Sequence, residues 1–246
     1  MSIISPEWFS TPLGHYVLEQ EQTYSDAVIS DIFGFNAVQL GLNDIDFLQA
    51  SRIPLHVKLD YSGGNLRADL NHLPIATQSI DLVVMPHLLE FSETPHQLLR
   101  EVERILIPEG YVLISGFNPF SLWGLRRRLT RHRVEYPWYG RFIGLPRLKD
   151  WLSLLNLEVT GGKLCCYVPP LKTEKWLHRW DFFEAAGDRW WPMAGGVYFV
   201  LARKRVHSMQ LIMPTWQRVA AKNLLAPAAQ RTCQPEIQNR MSADVE

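Results

Sequence analysis

Cysteine is scarce in this chain: three among 246 residues, two of them adjacent at Cys165 and Cys166. That count and spacing exclude a disulfide framework and a zinc-ligand pattern. Long apolar runs are missing, and none approaches the roughly 18 residues that a membrane-crossing helix needs. The segment from Met1 to Glu7 has neither the basic nor the apolar stretch of a secretory signal, so a cytoplasmic location is expected. Net charge is absent too, with 25 basic and 25 acidic side chains. A balanced total argues against a whole-surface nucleic-acid binder, and no DNA partner is expected. There are no internal repeats and no low-complexity tract. What is present is ordinary globular composition, 47% hydrophobic and 20% charged. The length suits one domain with appendages, or at most two small domains, and is enough to bury a substantial core.

The zero net charge hides an asymmetry. Residues 1–119 hold 5 of the 25 bases and 15 of the 25 acids, which leaves 120–246 basic by the same margin. A local basic face in the second half is therefore open.

Residues 1–33 read as a helical segment. Thr11-Pro12-Leu13 looks like a cap with proline in the first turn, and Ser25 to Phe33 like a second short helix closed by Gly34. Ala37 to Leu40 reads as a buried strand ending at Gly41, and Asp44 to Ala50 as two turns of helix. His56 to Leu59 is a second strand and Leu66 to Asp69 a weaker third. Ser79 to Met85 is a β-branched strand, and Thr94-Pro95 opens a helix with Leu98, Leu99, Val102 and Ile105 on one face. Pro108-Glu109-Gly110 signals a turn before the strand Tyr111 to Ser115. Strand, helix, strand over 80–115 is a βαβ unit, hence a parallel, right-handed crossover in an α/β sheet. Further on, Leu148 to Leu155 reads as a helix, Leu157 to Thr160 and Leu164 to Val168 as strands, and Val197 to Ala202 as the last strand. Residues 205–246 lack periodicity and read as a mostly disordered tail with one short helix near Trp216 to Leu225.

Two long motifs stand in this order. Asp69-Leu70-Asn71-His72-Leu73-Pro74-Ile75 leads into Ser79-Ile80-Asp81-Leu82-Val83-Val84, and Leu99-Arg100-Glu101-Val102-Glu103-Arg104-Ile105-Leu106 leads into Pro108-Glu109-Gly110. Across roughly 34–117 the chain resembles the class I S-adenosylmethionine-dependent methyltransferases, and within them the type 11 methyltransferase domain. The opening, Thr11-Pro12-Leu13-Gly14-His15-Tyr16, is similar to that of a bacterial subgroup. The resemblance implies a Rossmann-like α/β fold over 34–204, with a mainly parallel sheet and an antiparallel last strand. It also implies S-adenosylmethionine as cofactor.

Carried over residue by residue, the resemblance gives candidates for the cofactor site. Gly41 matches one glycine of the loop after strand one, where the family has several glycines and a preceding acidic residue; here Gln39 stands in that place. Gly41 alone also fits a plain strand end. Asp60, at the end of strand two, is the candidate for the ribose hydroxyls. Asp69 matches the carboxylate that meets the adenine amino group, or else caps a turn. Leu70, Met85 and His87 complete the set, with Met85-Pro86-His87 on the rim that lines the methionine part. If the acceptor is a hydroxyl or nitrogen, a general base helps; His87 is the candidate, with His72 and Glu90 behind it. Only six residues separate Asp60 from Arg67, whereas a parallel crossover takes about a dozen. Strands two and three are therefore expected to form a hairpin, or one is expected to leave the sheet.

The insertion 118–147 holds a basic cluster, Arg126, Arg127, Arg128, Arg131 and Arg133, among aromatic residues. It reads as a substrate lid or a contact with an anionic surface, or equally as a solvated helix face. In the segment 170–192, Trp176, Trp180, Phe182, Phe183, Trp190 and Trp191 suit an apolar acceptor pocket or a hairpin packed over the sheet. The chain is thus expected to methylate a small hydrophobic molecule. The alternative is a methyltransferase fold that binds a ligand or partner without catalysis.

Overall fold

The computed structural model describes residues 6–61, 63–129, 136–170, 189 and 191–206. All of them fall in the unit Met1–His207, and the expected tail lies almost wholly outside the described residues. So do Arg131, Arg133, Trp176, Trp180, Phe182, Phe183 and Trp190.

The elements run α1 (Pro6–Phe9), α2 (Pro12–Ile29), β1 (Asn36–Leu40), β2 (Leu55–Asp60), β3 (Leu66–Arg67), β4 (Ile80–Pro86), α3 (Pro95–Ile105), β5 (Leu106–Phe117), α4 (Leu122–Leu129), α5 (Leu145–Leu154), β6 (Leu157–Cys165), a 3₁₀ turn (Pro192–Ala194) and β7 (Val197–Lys204). Among the described residues the strands form one sheet in the order β3-β2-β1-β4-β5-β7-β6. All pairings are parallel except those of β7, which runs antiparallel to β5 and β6. The Rossmann-like expectation and the antiparallel Val197 strand are both met.

Alternation along β4 builds two cores from one strand. Leu82 and Val84 join the cluster that includes Val17 and Ile29 of α2, while Val83 and Met85 join Leu98, Leu99, Val102 and Ile105 of α3 and Leu148 and Leu152 of α5. Each such aliphatic side chain, fully buried, contributes about 1.5–3 kcal/mol. The two motifs are clamped together. Arg104 donates to the carbonyls of Leu73 and Ile75, and Glu101 accepts the Leu73 N–H at 3.0 Å. Hydrogen bonding to Arg104 holds the Glu101 carboxyl below its ordinary range.

The structure departs from the expectations at several places. Helix α2 is continuous over 18 residues rather than broken near Ser25. Its buried stripe includes Leu13, Val17, Glu21, Ser25 and Ile29, and the two polar members disguise the helical spacing. Thr11 caps it as expected, accepting the Gly14 N–H at 3.1 Å. A Cβ on Gly14 would lie 2.1 Å from the Trp8 carbonyl oxygen, so only glycine lets α1 fold back onto α2. Residues 44–50 form turns, not helix. Strand β3 pairs with β2 in parallel, with Leu59 opposite Leu66 and Asp60 opposite Arg67, so neither the hairpin nor the lost strand is found. A two-residue strand needs no covering helix, and the return is pinned by Asn65, whose side-chain oxygen accepts the Lys58 N–H at 3.0 Å. Pro108 to Gly110 lie within β5 as an irregularity in its pairing with β4, with Glu109 at φ 67°. The two strands expected over 157–168 are one strand, β6, bulged between Val159 and Gly161.

Candidate active site

Strand order reverses between β1 and β4, and in open α/β sheets ligands bind outside the carboxyl ends of the strands at such a switch point. Gly41, Asp60 and His87 directly follow or end β1, β2 and β4, and Asp69 lies two residues past β3. Topology therefore puts these four at one edge. Gly41 takes φ 79°, a left-handed conformation that glycine adopts without penalty, and its N–H donates to the Leu59 carbonyl at 2.8 Å.

The loop after Gly41 is organised by Gln39, which is fully buried on β1. Its amide nitrogen lies 3.2, 2.9 and 2.8 Å from the carbonyl oxygens of Gly41, Leu42 and Ile45, and its oxygen accepts the Phe47 N–H at 3.0 Å. An acidic residue could not donate to those carbonyls. The amide thus accounts both for the missing carboxylate and for turns where helix was expected.

Asp60 is buried, and its carboxylate accepts the Tyr61 N–H at 2.7 Å. Asp69 is exposed and accepts the Asn71 N–H at 2.9 Å. Burial, and then the neighbouring Asp69 carboxylate, push the Tyr61 hydroxyl upward. The side chains of Leu70 and Met85 are core, packed in the cluster of Leu40 and Leu59 rather than standing on the rim. His72 is exposed, 3.2 Å from the Gln97 amide.

His87 has a setting that its position past β4 does not announce. Its φ is 49° and the ring is fully buried. Nε2 lies 2.5 Å from a Glu21 carboxylate oxygen, and Nδ1 lies 3.3 Å from Glu90. Burial alone would lower the imidazole pKa, but the two carboxylates outweigh it and push it up to about 10. At neutral pH the ring is a cation between two acids, with both nitrogens engaged. This corrects the expectation of an accessible general base at His87: no nitrogen is left to take a proton from a substrate. Burial raises the Glu90 pKa against the opposing pull of His87. The other Glu90 oxygen accepts the Phe117 N–H. Glu21 reaches the triad from α2, so the N-terminal helix is electrostatically tied to the end of β4.

An aromatic chamber surrounds the triad. Phe117 stacks on His87 with centroids 4.2 Å apart, and on Trp123 at 5.6 Å and Phe142 at 5.1 Å. Trp8 meets Tyr136 edge-on at 5.2 Å. Beside it is a cavity of about 240 Å³, walled by Trp8, Leu13, Tyr136, Trp138 and Arg126. The Arg126 guanidinium lies over the Trp138 ring at 5.0 Å, and that of Arg127 over Phe142 at 5.0 Å. The Tyr136 hydroxyl is buried without a hydrogen-bond partner, as is Oε2 of Glu21. Burial, then Glu90 and Glu21, drive the Tyr136 pKa well above its ordinary value. Among the described residues no group of histidine, cysteine and acidic side chains could hold a metal, and no helix is long and apolar enough to cross a membrane.

A family model described as a methyltransferase domain matches residues 45–114. The chain is 33% identical over 214 residues to the uncharacterized protein YafS of Escherichia coli, a match covering 85% of both. Its structure superposes on a SAM-dependent methyltransferase of Thermotoga maritima with a TM-score of 0.60, at 17% identity, over 81% of this chain and 93% of that one. The chain carries a domain of the type 11 methyltransferase family and has the fold of the S-adenosylmethionine-dependent methyltransferases. A shorter similarity, 34% over 85 residues, links it to the malonyl-[acyl-carrier protein] O-methyltransferase of Methylovorus sp., covering 35% of this chain and 28% of that protein. The family match begins at residue 45, beyond Gly41, so it leaves out the loop where Gln39 replaces the acidic residue.

Sequence reasoning missed Glu21, Trp8 and Tyr136. Only Glu21 left a signal, as a charged residue at four-residue spacing on the apolar stripe of α2.

Proposed function

We propose that the chain transfers a methyl group from S-adenosylmethionine to a small hydrophobic acceptor. The carrying observation is that Gly41, Asp60 and Asp69 lie at the carboxyl ends of β1, β2 and β3, beside the switch point between β1 and β4. The residues present fit the cofactor by the chemistry of their donor set. Carboxylates past β2 and β3 suit ribose hydroxyls and an adenine amino group, and Gly41 permits close backbone approach. When bound, the cofactor supplies an electrophilic sulfonium methyl. The chain has then to position the acceptor in line and keep water out. Trp8, Phe117, Trp123 and Trp138 do the second. His87 is a positioning residue in this reading: its charge ties α2 and Glu90 to the end of β4 and holds Phe117 in place.

One observation favours the non-catalytic reading. The loop after Gly41 turns three carbonyls toward Gln39, so it is self-supporting without a ligand. Calorimetric titration with S-adenosylhomocysteine separates the two. Saturable one-site binding is the expected result, and no heat at millimolar ligand would defeat the methyltransferase reading.

A further inference from the structure

Helix α4 turns an apolar face outward. Successive residues of a helix are rotated by about 100°. Trp123 and Gly124 are buried on one side of α4. Leu122, Leu125 and Leu129, at i, i+3 and i+7, fall within about 60° of one another on the opposite side. They are 46, 51 and 73% exposed. A helix of a globular protein ordinarily gives its apolar stripe to the core and its polar face to water. The solvated helix face expected for the basic cluster is therefore not what α4 presents. Phe120, just before the helix, is 69% exposed, and Trp191 and Met193 are 60 and 64% exposed. Asn118 ties these segments together: its side-chain oxygen accepts the Phe120 N–H at 3.0 Å, and its amide donates to the Met193 carbonyl at 2.9 Å. Exposed apolar side chains gathered in this way mark an interaction surface.

We propose that this face docks on the surface of an anionic lipid bilayer, with the leucines and Phe120 entering the headgroup boundary. Charge selects the occupant. From residue 111 to residue 134 the sequence has five arginines and no acidic residue. Arg128 is exposed and lies about 60° round the helix from Leu125, where it can meet lipid phosphates while the leucines enter the layer. The contact does not draw on Arg126, which is held over the Trp138 ring. An apolar stripe edged by arginine matches a surface that is apolar within and anionic at its headgroups. A second copy of this chain on the same face would instead set arginine against arginine across the two-fold axis. The docking surface does not rest on the methyltransferase reading, although a bilayer is where a hydrophobic acceptor would be met.

The test is sedimentation of the full chain with vesicles of equal parts phosphatidylglycerol and phosphatidylcholine, beside vesicles of phosphatidylcholine alone. The chain is expected to sediment with the first and to stay in solution with the second, and added salt should weaken the binding. Leu125→Gln together with Leu129→Gln should lower the affinity for anionic vesicles about ten-fold or more. Arg128→Gln should lower it about five-fold. Phe35→Ser is the control. Phe35 is 75% exposed but precedes β1, whereas α4 follows β5, so the two stand at opposite ends of parallel strands. All four positions are exposed, and circular dichroism confirms that the variants are folded. No binding to anionic vesicles, equal binding to both kinds, or binding that survives the leucine changes would overturn the proposal. So would a loss on Phe35→Ser equal to that of the leucine variant. A chain that ignores vesicles but forms a dimer that the leucine variant dissolves would assign the face to a second copy instead. A parallel titration with S-adenosylhomocysteine keeps the two readings apart. Vesicle binding without cofactor binding defeats the methyltransferase reading alone, and cofactor binding without vesicle binding defeats the docking surface alone.

Discussion

The two sides of the sheet are built differently. On the β1–β3 side, β3 is two exposed residues, β2 is half-buried over most of its length, and the loop after β1 is held by one amide side chain. On the other side β4, β7 and the second half of β5 are almost wholly buried, while the edge strand β6 is largely exposed, and rings of Phe117, Trp123, Phe142 and His87 stack at the strand ends. The first side carries the candidate contacts for a cofactor and little else. The second carries the stacked rings, the buried triad of His87 with Glu21 and Glu90, and the cavity. One sheet thus combines a thinly built side, held by backbone turns and a few side chains, with a densely packed one.

The largest expected effect tests the charged end of that contrast. Glu21→Ala leaves the buried His87 without its closest partner, and breaking a buried ion pair costs about 3–5 kcal/mol. Denaturant unfolding should show a loss of that order. A loss no larger than that of an exposed site would mean the triad is not charged in the folded chain.

The same triad predicts how stability changes with pH. The folded pKa of His87 is raised from 6.5 to about 10, so its stabilising contribution is complete below about pH 6.5 and is lost as pH rises through about 10. Burial also raises the Glu90 pKa, which acts with the same sign, stability falling as pH rises through its folded value. The groups facing His87 are Glu21 from α2 and Glu90 from its own loop. Tyr136 and Tyr198, close to the carboxylates, stay neutral across this window because burial raises both. The denaturation midpoint should fall steadily from pH 7 toward pH 10, and His87→Gln should flatten that slope.

Legibility followed the same division. β4, α3, β5 and β7 were readable because their apolar residues come in long blocks at strand or helix spacing. The clamp of Glu101 and Arg104 on Leu73 and Ile75 explains why those residues stand in recognisable motifs. The parallel β2–β3 pair was not readable, because two residues carry no periodicity. Turns over 44–50 were not readable either, because their cause is the side chain of Gln39 and not their own sequence. The resemblance puts Gly41, Asp60 and Asp69 forward as candidates, and topology brings them to the carboxyl ends of neighbouring strands. The burial of His87 was hidden because it depends on Glu21, 66 residues away, meeting it in space.

A smaller effect probes the loop directly. Gln39→Glu restores an acidic residue at nearly constant volume, yet sets a buried carboxylate against three carbonyl oxygens. It should destabilise the chain by about 1–3 kcal/mol, and unchanged unfolding would show that the loop has another support. Smaller still on stability is Asp69→Ala, an exposed change expected to lie within about 0.5 kcal/mol by thermal melting. In binding it should weaken S-adenosylhomocysteine by about 1.5–3 kcal/mol, the range for a hydrogen bond to a charged group.

The claim that the thin side of the sheet still holds the cofactor is tested most directly by titrating S-adenosylhomocysteine into the wild type and Gly41→Val side by side, with circular dichroism to confirm that both are folded. Gly41 stands at φ 79°, where a β-branched side chain is strained and fills the surface of close approach. The account predicts saturable binding to the wild type and none to the variant; equal binding by both chains would contradict it.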